Sequence, residues 1–308
     1  MDKEKLHIAR LIFENRIYQY DGSTFETFFT NVMCLVDSGF EPVKPHGKVG
    51  DRKNDGFNKP SGIYYQVYAP EDKTKYSQIH AIAKAEQDFK GLIDYWDKIA
   101  KIKTYRFVIN DKYKGAFPEV QETLSRIGKN HTILCETWLA KDLEKEFVKL
   151  KEEDMMRVIG PIPSSVSIDI INYNALTDAV NFLMKNASPN TYSGTLPNPK
   201  FDEKIKFNDL SDSSAHLLNI GNYQASVVND FFSRNSNDSR QHLSEIFHNL
   251  YNKGEEIVPN TDDKRSDRIF FYILDSACPP NKNKSIQDAV LVLMAYYFEA
   301  CDIFKEPK

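Results

Sequence analysis

Strand-like patterning in this chain stops at one place. Residues 160–167 read GPIPSSVS, a concentration of Pro, Gly and Ser that suits a linker better than any regular element. Ahead of it, the strand-like runs TYRFVIND (104–111) and HTILCET (131–137) alternate with helical patterns over Phe117–Ile127 and Leu139–Lys151. Alternation of that kind predicts an α/β sheet with helices on its faces. Beyond it, helical patterns alone recur, over Ile168–Met184, Ser214–Phe232, Leu243–Tyr251, Arg265–Ala277 and Ser285–Phe304, interrupted by the loop-like NASPNTYSGTLPNPKF. With 308 residues, each half is long enough to bury its own core. The expectation is an α/β domain over residues 1–160, a mixed sheet flanked by helices, followed by an all-α domain over residues 161–308.

Within the first half, STFETFFTNVMCLVDSGF predicts a helix. Ser23 and Thr24 stand where a cap belongs, with Glu26 three residues past Ser23 as in a capping box. Phe25, Phe28, Phe29, Val32, Met33 and Val36 follow at helical spacing, and Gly39 ends the pattern. Short strands are expected at Phe40–Lys44 and Ile63–Tyr68, with NKPSG as a hairpin turn between Phe57 and Ile63. A charged amphipathic stretch from Tyr76 to Ile102 reads as a long helix. His131 and Cys135 read as strand residues.

The charge is unevenly spread. Residues 1–150 hold 24 Lys and Arg against 22 Asp and Glu, a balance of +2, whereas the remainder holds 16 against 22, or −6. A nucleic-acid partner suits the first half better, although +2 makes no basic patch. The N-terminal MDKEKLHIAR has no apolar core of a leader, and no apolar run reaches the length of a membrane span. Cys34, Cys135, Cys278 and Cys301 lie far apart with no CxxC pair, which suits reduced thiols and a cytoplasmic setting. No GxxxxGK[ST] sequence is present, so the chain is not itself an ATPase of that type.

The residues most suggestive of chemistry lie in GDRKNDGFNKPSGIYYQVYAPE, residues 50–71. In the strand IYYQVYA, Ile63, Tyr65 and Val67 face one way, and Tyr64, Gln66 and Tyr68 the other. Asp55 precedes Gln66 by eleven residues across the turn, so a hairpin brings them side by side. An amide among aromatics needs partners if buried. Mg²⁺ takes oxygen ligands, which Asp55, the Gln66 amide oxygen and the Val67 carbonyl can supply, with Glu26 approaching from its helix. The bland alternatives are concrete. Asn54-Asp55-Gly56 is also an ordinary turn sequence, and Glu26 also fits a cap. Lys84 sits on a helix whose charged face is solvated by default, and Asp51 is equally a turn residue or an outer support of the site. His46, between Pro45 and Gly47, reads as a loop residue more than a general base.

A helix carrying FETFF, then GD-x-KNDG, then YYQVYAPE, resembles the restriction-endonuclease-like PD-(D/E)xK nucleases. That resemblance implies an acid on an early helix, an Asp at a strand start and a (D/E/Q)xK on the next strand. By position these are Glu26, Asp55 and Gln66. The lysine position is occupied by Tyr68, so the resemblance requires a lysine from elsewhere, Lys84 or Lys53, with Lys84 preferred, or else an inactive site. It further implies Mg²⁺-dependent hydrolysis of DNA phosphodiesters, with Mn²⁺ able to substitute and RNA an open alternative. Tyr64, Tyr68 or Lys59 would contact the nucleic-acid backbone.

The C-terminal YYFEACDIFKEP is similar to the segment that closes effector proteins of the bacterial ABC-three-component conflict systems. This resemblance implies an antiviral or anti-plasmid defence role beside an ABC-type ATPase and a small middle component. Tyr223, Phe231, Phe232, Tyr296, Tyr297, Phe298 and Phe304 are at helical spacing and read as core or partner interface, a homodimer included. The rival to the nuclease is a catalytically inactive subunit that binds nucleic acid or acts as a scaffold on the same fold.

Overall fold

The computed structural model describes residues 1, 3–44, 52–70, 78–163, 173–186, 201–234, 237–280, 282–300 and 303–307. Asp51 and His46 lie outside the described residues, as do 164–172 of the linker region. The chain divides into two compact units, Arg16–Val158 and a second made of Met1–Asn15 with Ile159–Lys308. Among the described residues, no helix is long and apolar enough to cross a membrane.

The first unit is built on a mixed five-stranded sheet. Helix α1 (Lys3–Gln19) precedes it, and only its last turn counts with this unit. Sequence patterning names no helix before Ser23, and the reason is visible in the burial. Ile8, Ala9, Leu11, Ile12 and Phe13 are all buried, so α1 carries no single apolar stripe for a period of 3.6 to detect. Its C-terminal carbonyls are closed by side chains. Asn110 Nδ2 donates to Ile17 O and Tyr20 O, and Lys112 Nζ to Ile17 O, Tyr18 O and Tyr20 O.

Helix α2 (Gly22–Val36) begins at Asp21 rather than Ser23. The capping box predicted for Ser23 and Glu26 is therefore absent. The backbone N–H of Gly22 is tied to Ala69 O at 2.5 Å, which starts the helix early, and the Asp21 carboxylate lies 2.9 Å from Lys112 Nζ instead of capping. Phe25, Phe28, Phe29, Val32 and Met33 are buried, as their spacing predicts.

The strands are β1 (Phe40–Pro42), β2 (Gly56–Asn58), β3 (Ile63–Tyr68), β4 (Thr104–Ile109) and β5 (Leu134–Trp138), adjacent in that order. The first three are antiparallel and β3, β4 and β5 run parallel. Helix α3 (Gln78–Trp96) joins β3 to β4, and α4 (Pro118–His131) joins β4 to β5. His131 ends α4 instead of opening the strand, because a left-handed residue, Thr132, turns the chain first. The helix expected over Leu139–Lys151 is the shorter α5 (Ala140–Phe147), and beyond that span follows an unforeseen helix, α6 (Glu152–Ile159), opened by three acids that suit a helix N-terminus.

The two faces of β3 separate as alternation requires. Tyr65 packs on Phe29 and Phe40 at 5.6 Å and on Trp138 at 5.7 Å. Tyr64 and Tyr68 face α3 and α4 in a core with Ala85, Phe89, Leu92, Tyr105, Phe107, Val120 and Leu124. Tyr64 is spent on that core, stacked on Phe57 with its hydroxyl donating to Ala100 O at 2.8 Å, so it does not reach a ligand.

The second unit is helical: α7 (Tyr173–Lys185), α8 (Phe201–Phe207), α9 (Asp212–Tyr223), α10 (Ala225–Arg234), α11 (Asn237–Ile257), α12 (Arg265–Ser276) and α13 (Lys284–Glu299). Helix α8 closes a stretch that the sequence presents as loop, and the single helix expected over Ser214–Phe232 breaks at Gln224. Every residue of α13 from Gln287 to Phe298 is buried, which makes it the central element of this unit. Gly221 of α9 permits close approach: a Cβ there would stand 2.9 Å from Ala295 Cβ and 3.0 Å from Leu291 O. Phe231, Phe232, Tyr296, Tyr297, Phe298 and Phe304 are core, whereas Tyr223 is 87% exposed. Met1–Asn15 belong with this unit, not with the α/β unit. Asn15 Nδ2 donates to Arg268 O at 3.0 Å, and Glu14 pairs with the buried Arg268 guanidinium.

Candidate functional site

The hairpin of β2 and β3 pairs Gly56 with Tyr65, and Asp55 N donates to Tyr65 O at 3.0 Å. This register sets the Asp55 carboxylate against the next residues of β3. Its Oδ2 accepts from Gln66 Nε2 at 2.8 Å and from the Val67 backbone N–H at 2.6 Å. Val67 thus meets Asp55 through its N–H. Gln66 is 3% exposed, and its other amide atom, Oε1, has no hydrogen-bond partner. A buried oxygen left unpaired in this way is costly, and rare enough to call for an explanation.

Beside this hairpin lies a cleft of about 640 Å³ at the C-terminal end of β3. Its walls include Glu26, Lys53, Val67, Tyr68, His80, Lys84 and Asp88. The structure therefore brings Glu26, Lys84, Lys53, Tyr68 and Val67 to one cleft; Asp55 and Gln66 are not in its lining and are linked to it through the Val67 N–H that donates to Asp55. Tyr68 stacks on Phe107 at 5.7 Å, and burial pushes its phenol above the usual range, so it stays neutral. It supplies no charge in place of the missing lysine.

Sequence inspection misses Asp88. It is 1% exposed, and its carboxylate lies 2.9 Å from Lys53 Nζ and 2.5 Å from Lys84 Nζ. Its spacing of four from Lys84 on a helix is the signal that could have found it. Tyr105, fully buried, is a further unforeseen neighbour whose hydroxyl has no partner. Burial first, and then the negative charges of Asp88 and Asp55, push that phenol well up, so it too is neutral. Among the described residues, no three His, Cys, Asp or Glu side chains converge as a metal-binding group. The donor set here is one carboxylate and one orphaned amide oxygen, with Glu26 among the walls of the adjoining cleft. Mg²⁺ commonly takes one or two carboxylates and keeps several waters, so such a set fits it and would not suit zinc.

A larger cleft, about 840 Å³, opens at the other end of the parallel strands and contains none of the predicted site residues. Lys101, Lys103, Lys129, His131 and Cys135 are in its lining. Burial pushes the Cys135 thiol up to about 12, which leaves little thiolate for nucleophilic chemistry. At pH 7.5, alkylation of Cys135 by iodoacetamide should run about 10³-fold slower than that of an unperturbed thiol, followed by peptide mass spectrometry. The rate should rise tenfold per pH unit well past neutrality, since the titration lies above it.

Residues 174–305 match the family of C-terminal domain 10 of the ABC-three component (ABC-3C) systems. The match supports the resemblance drawn from YYFEACDIFKEP and lies wholly within the helical unit, covering under half of the chain. No curated protein and no solved structure matches the chain.

Proposed function

We propose that the chain is an effector of an ABC-three-component system whose Arg16–Val158 unit hydrolyses DNA phosphodiesters with Mg²⁺. The observation that carries this reading is the pairing of the Asp55 carboxylate with Gln66, whose buried Oε1 is otherwise unsatisfied, beside Val67 in the wall of a cleft that Glu26 and Lys84 also line. The order helix, antiparallel hairpin, helix, parallel strand agrees with what the nuclease resemblance implies. Residues 174–305 would serve as the module through which the ABC-type ATPase and the small middle component engage this effector.

Asp55, Gln66 Oε1 and Glu26 are the groups that would hold the ion. When bound, Mg²⁺ makes a coordinated water more acidic and offsets charge on phosphate oxygens. The chain's own residues do the rest. The Val67 N–H and Gln66 Nε2 fix the Asp55 carboxylate in one orientation. Lys84, seated on Asp88 in the same cleft, is the lysine this reading assigns to the phosphate in place of the absent motif lysine. Binding of DNA by such a site is led by phosphate contacts and weakens with salt.

The test is nicking of supercoiled plasmid by the purified protein with Mg²⁺ or Mn²⁺, beside Asp55→Ala and with single-stranded RNA in parallel. Cleavage by the wild type that the variant lacks supports the reading, and the polymer cut decides DNA against RNA. Equal cleavage by both places the chemistry elsewhere. No cleavage, even with the partner components added, favours the second reading, a nucleic-acid-binding or scaffolding subunit, for which Tyr68 at the lysine position already speaks.

A further inference from the structure

The two edges of the sheet are unlike. β1 is three residues long and ends at Pro42, so it offers a neighbouring strand little backbone to pair with. β5 runs five residues without a proline, and among the described strands it pairs with β4 alone. Leu134 N donates to Lys103 O, so alternation turns the backbone groups of Leu134, Glu136 and Trp138 toward β4 and those of Cys135 and Thr137 outward. The one charged side chain of β5, Glu136, is held by Arg106 at 3.2 Å and does not guard the edge. Leu134, at its start, is 57% exposed. An edge of this length with an exposed apolar residue is a template for another strand.

The cleft of about 840 Å³ at the start of this strand has a charge of one sign. It combines apolar Ile133 and Leu134 with Lys101, Lys103 and Lys129, and no acidic residue is in its lining. Asp97, beyond the lining, is engaged: it accepts from the Ile102 N–H at 2.9 Å and lies 3.2 Å from Lys101 Nζ. Lys103 and Lys129 are exposed and have no ion-pair partner among the described residues. Gly128 sets Lys129 beside the strand. A Cβ there would stand 2.8 Å from Ile133 O, so a larger residue would hold α4 away from the start of β5. Lys103 shares with Tyr105 the face that α4 covers, and Leu134 has the opposite face. An added strand would therefore meet cations on one side and an apolar side chain on the other.

We propose that β5 takes up an extended acidic segment of a partner protein as a sixth strand of the sheet, its acidic side chains over Lys103 and Lys129 and its alternate, apolar ones against Leu134. Main-chain hydrogen bonds to the outward groups of Cys135 and Thr137 supply affinity, and the cleft selects for charge. A nucleic acid would engage the lysines but leave Leu134 and the strand edge without partners. The cleft is at the opposite end of the parallel strands from the one beside Asp55, so this docking site does not depend on the nuclease reading.

The experiment measures binding of a fluorescein-labelled peptide of alternating glutamate and valine to the full chain by anisotropy, with amide exchange of β5 followed by mass spectrometry. A lysine–valine peptide and the acidic peptide N-methylated throughout serve as comparisons. The acidic peptide should bind, the basic one should not, and methylation should weaken binding by about tenfold or more, the scale of two lost hydrogen bonds. Exchange across Cys135–Thr137 should slow in the complex. Lys103→Ala and Lys129→Ala should each weaken binding about two- to fivefold. Leu134→Asp should weaken it further, and Lys141→Ala, an exposed lysine on α5, should leave it unchanged. Circular dichroism checks the fold of each variant. Absence of binding at about 1 mM acidic peptide overturns the proposal, as does equal binding of the methylated peptide or unaltered exchange in β5. A DNA duplex that displaces the peptide and loses affinity in the same lysine variants also overturns it and assigns the cleft to nucleic acid.

Discussion

Asp55→Asn should fold like the wild type and cut DNA slower by about 10²-fold or more, the scale on which metal sites respond to altered coordination. The substitution keeps the shape of the side chain and one carbonyl oxygen in the place of Oδ2. The Val67 N–H and Gln66 Nε2 therefore still have an acceptor, though an uncharged one. The charge that draws a divalent ion is gone. Asp55→Ala differs in a useful way: both donors lose their acceptor, which adds an unfolding penalty of roughly 1–3 kcal/mol. Measuring cleavage rate and urea midpoint for the two variants separates the roles. If Asp55→Asn cuts like the wild type, the carboxylate is a turn brace and the chemistry assigned to it is absent.

Arg268→Met should lower the stability of the helical unit by roughly 3–5 kcal/mol, the cost of removing one partner from a buried ion pair. The guanidinium is 9% exposed and lies 2.6 Å from Asp262 Oδ2 and against Glu14 Oε2. Both carboxylates are themselves about nine-tenths buried. The atoms approach as ion pairs without the alignment of good hydrogen bonds, so the stabilisation is chiefly charge against charge. Removing the arginine leaves two enclosed negative charges facing an apolar side chain. The triple change Glu14→Gln, Asp262→Asn, Arg268→Met should recover much of the loss, since no bare charge remains. The measurement is the urea midpoint of the transition reported by this unit. Equal destabilisation by the single and triple variants would mean that packing, and not charge, sets the cost.

The sheet was legible because its strands carry alternation or buried runs bounded by turn residues. The hairpin followed from NKPSG, with Gly62 at φ of 70° closing it, and so the proximity of Asp55 and Gln66 could be inferred before any coordinates. Helix α2 was legible from its aromatic spacing, but not its start, because a backbone bond from Gly22 to Ala69, 47 residues away, fixes the first turn. Helix α1 was illegible because burial on all sides erases periodicity. In the cleft, Glu26 and Lys84 were reachable through resemblance and through their elements. Asp88 was hidden among charges on an amphipathic helix, where a solvated face is the reasonable default.

What the sequence determined alone is local: which stretches alternate, which turn, and which residues share a strand face. Those rules put Asp55 next to Gln66 and Tyr68 where a lysine would have been. Only the tertiary structure decided that Gln66 Oε1 is left without a partner and that one buried carboxylate seats two lysines. It also decided that the stem of Lys53 passes close over Gly91 of α3, 38 residues later in the chain. The physical reason is range. Turn chemistry and periodicity act over a few residues, whereas desolvation and ion pairing depend on which elements the packed core brings within a few ångströms of one another.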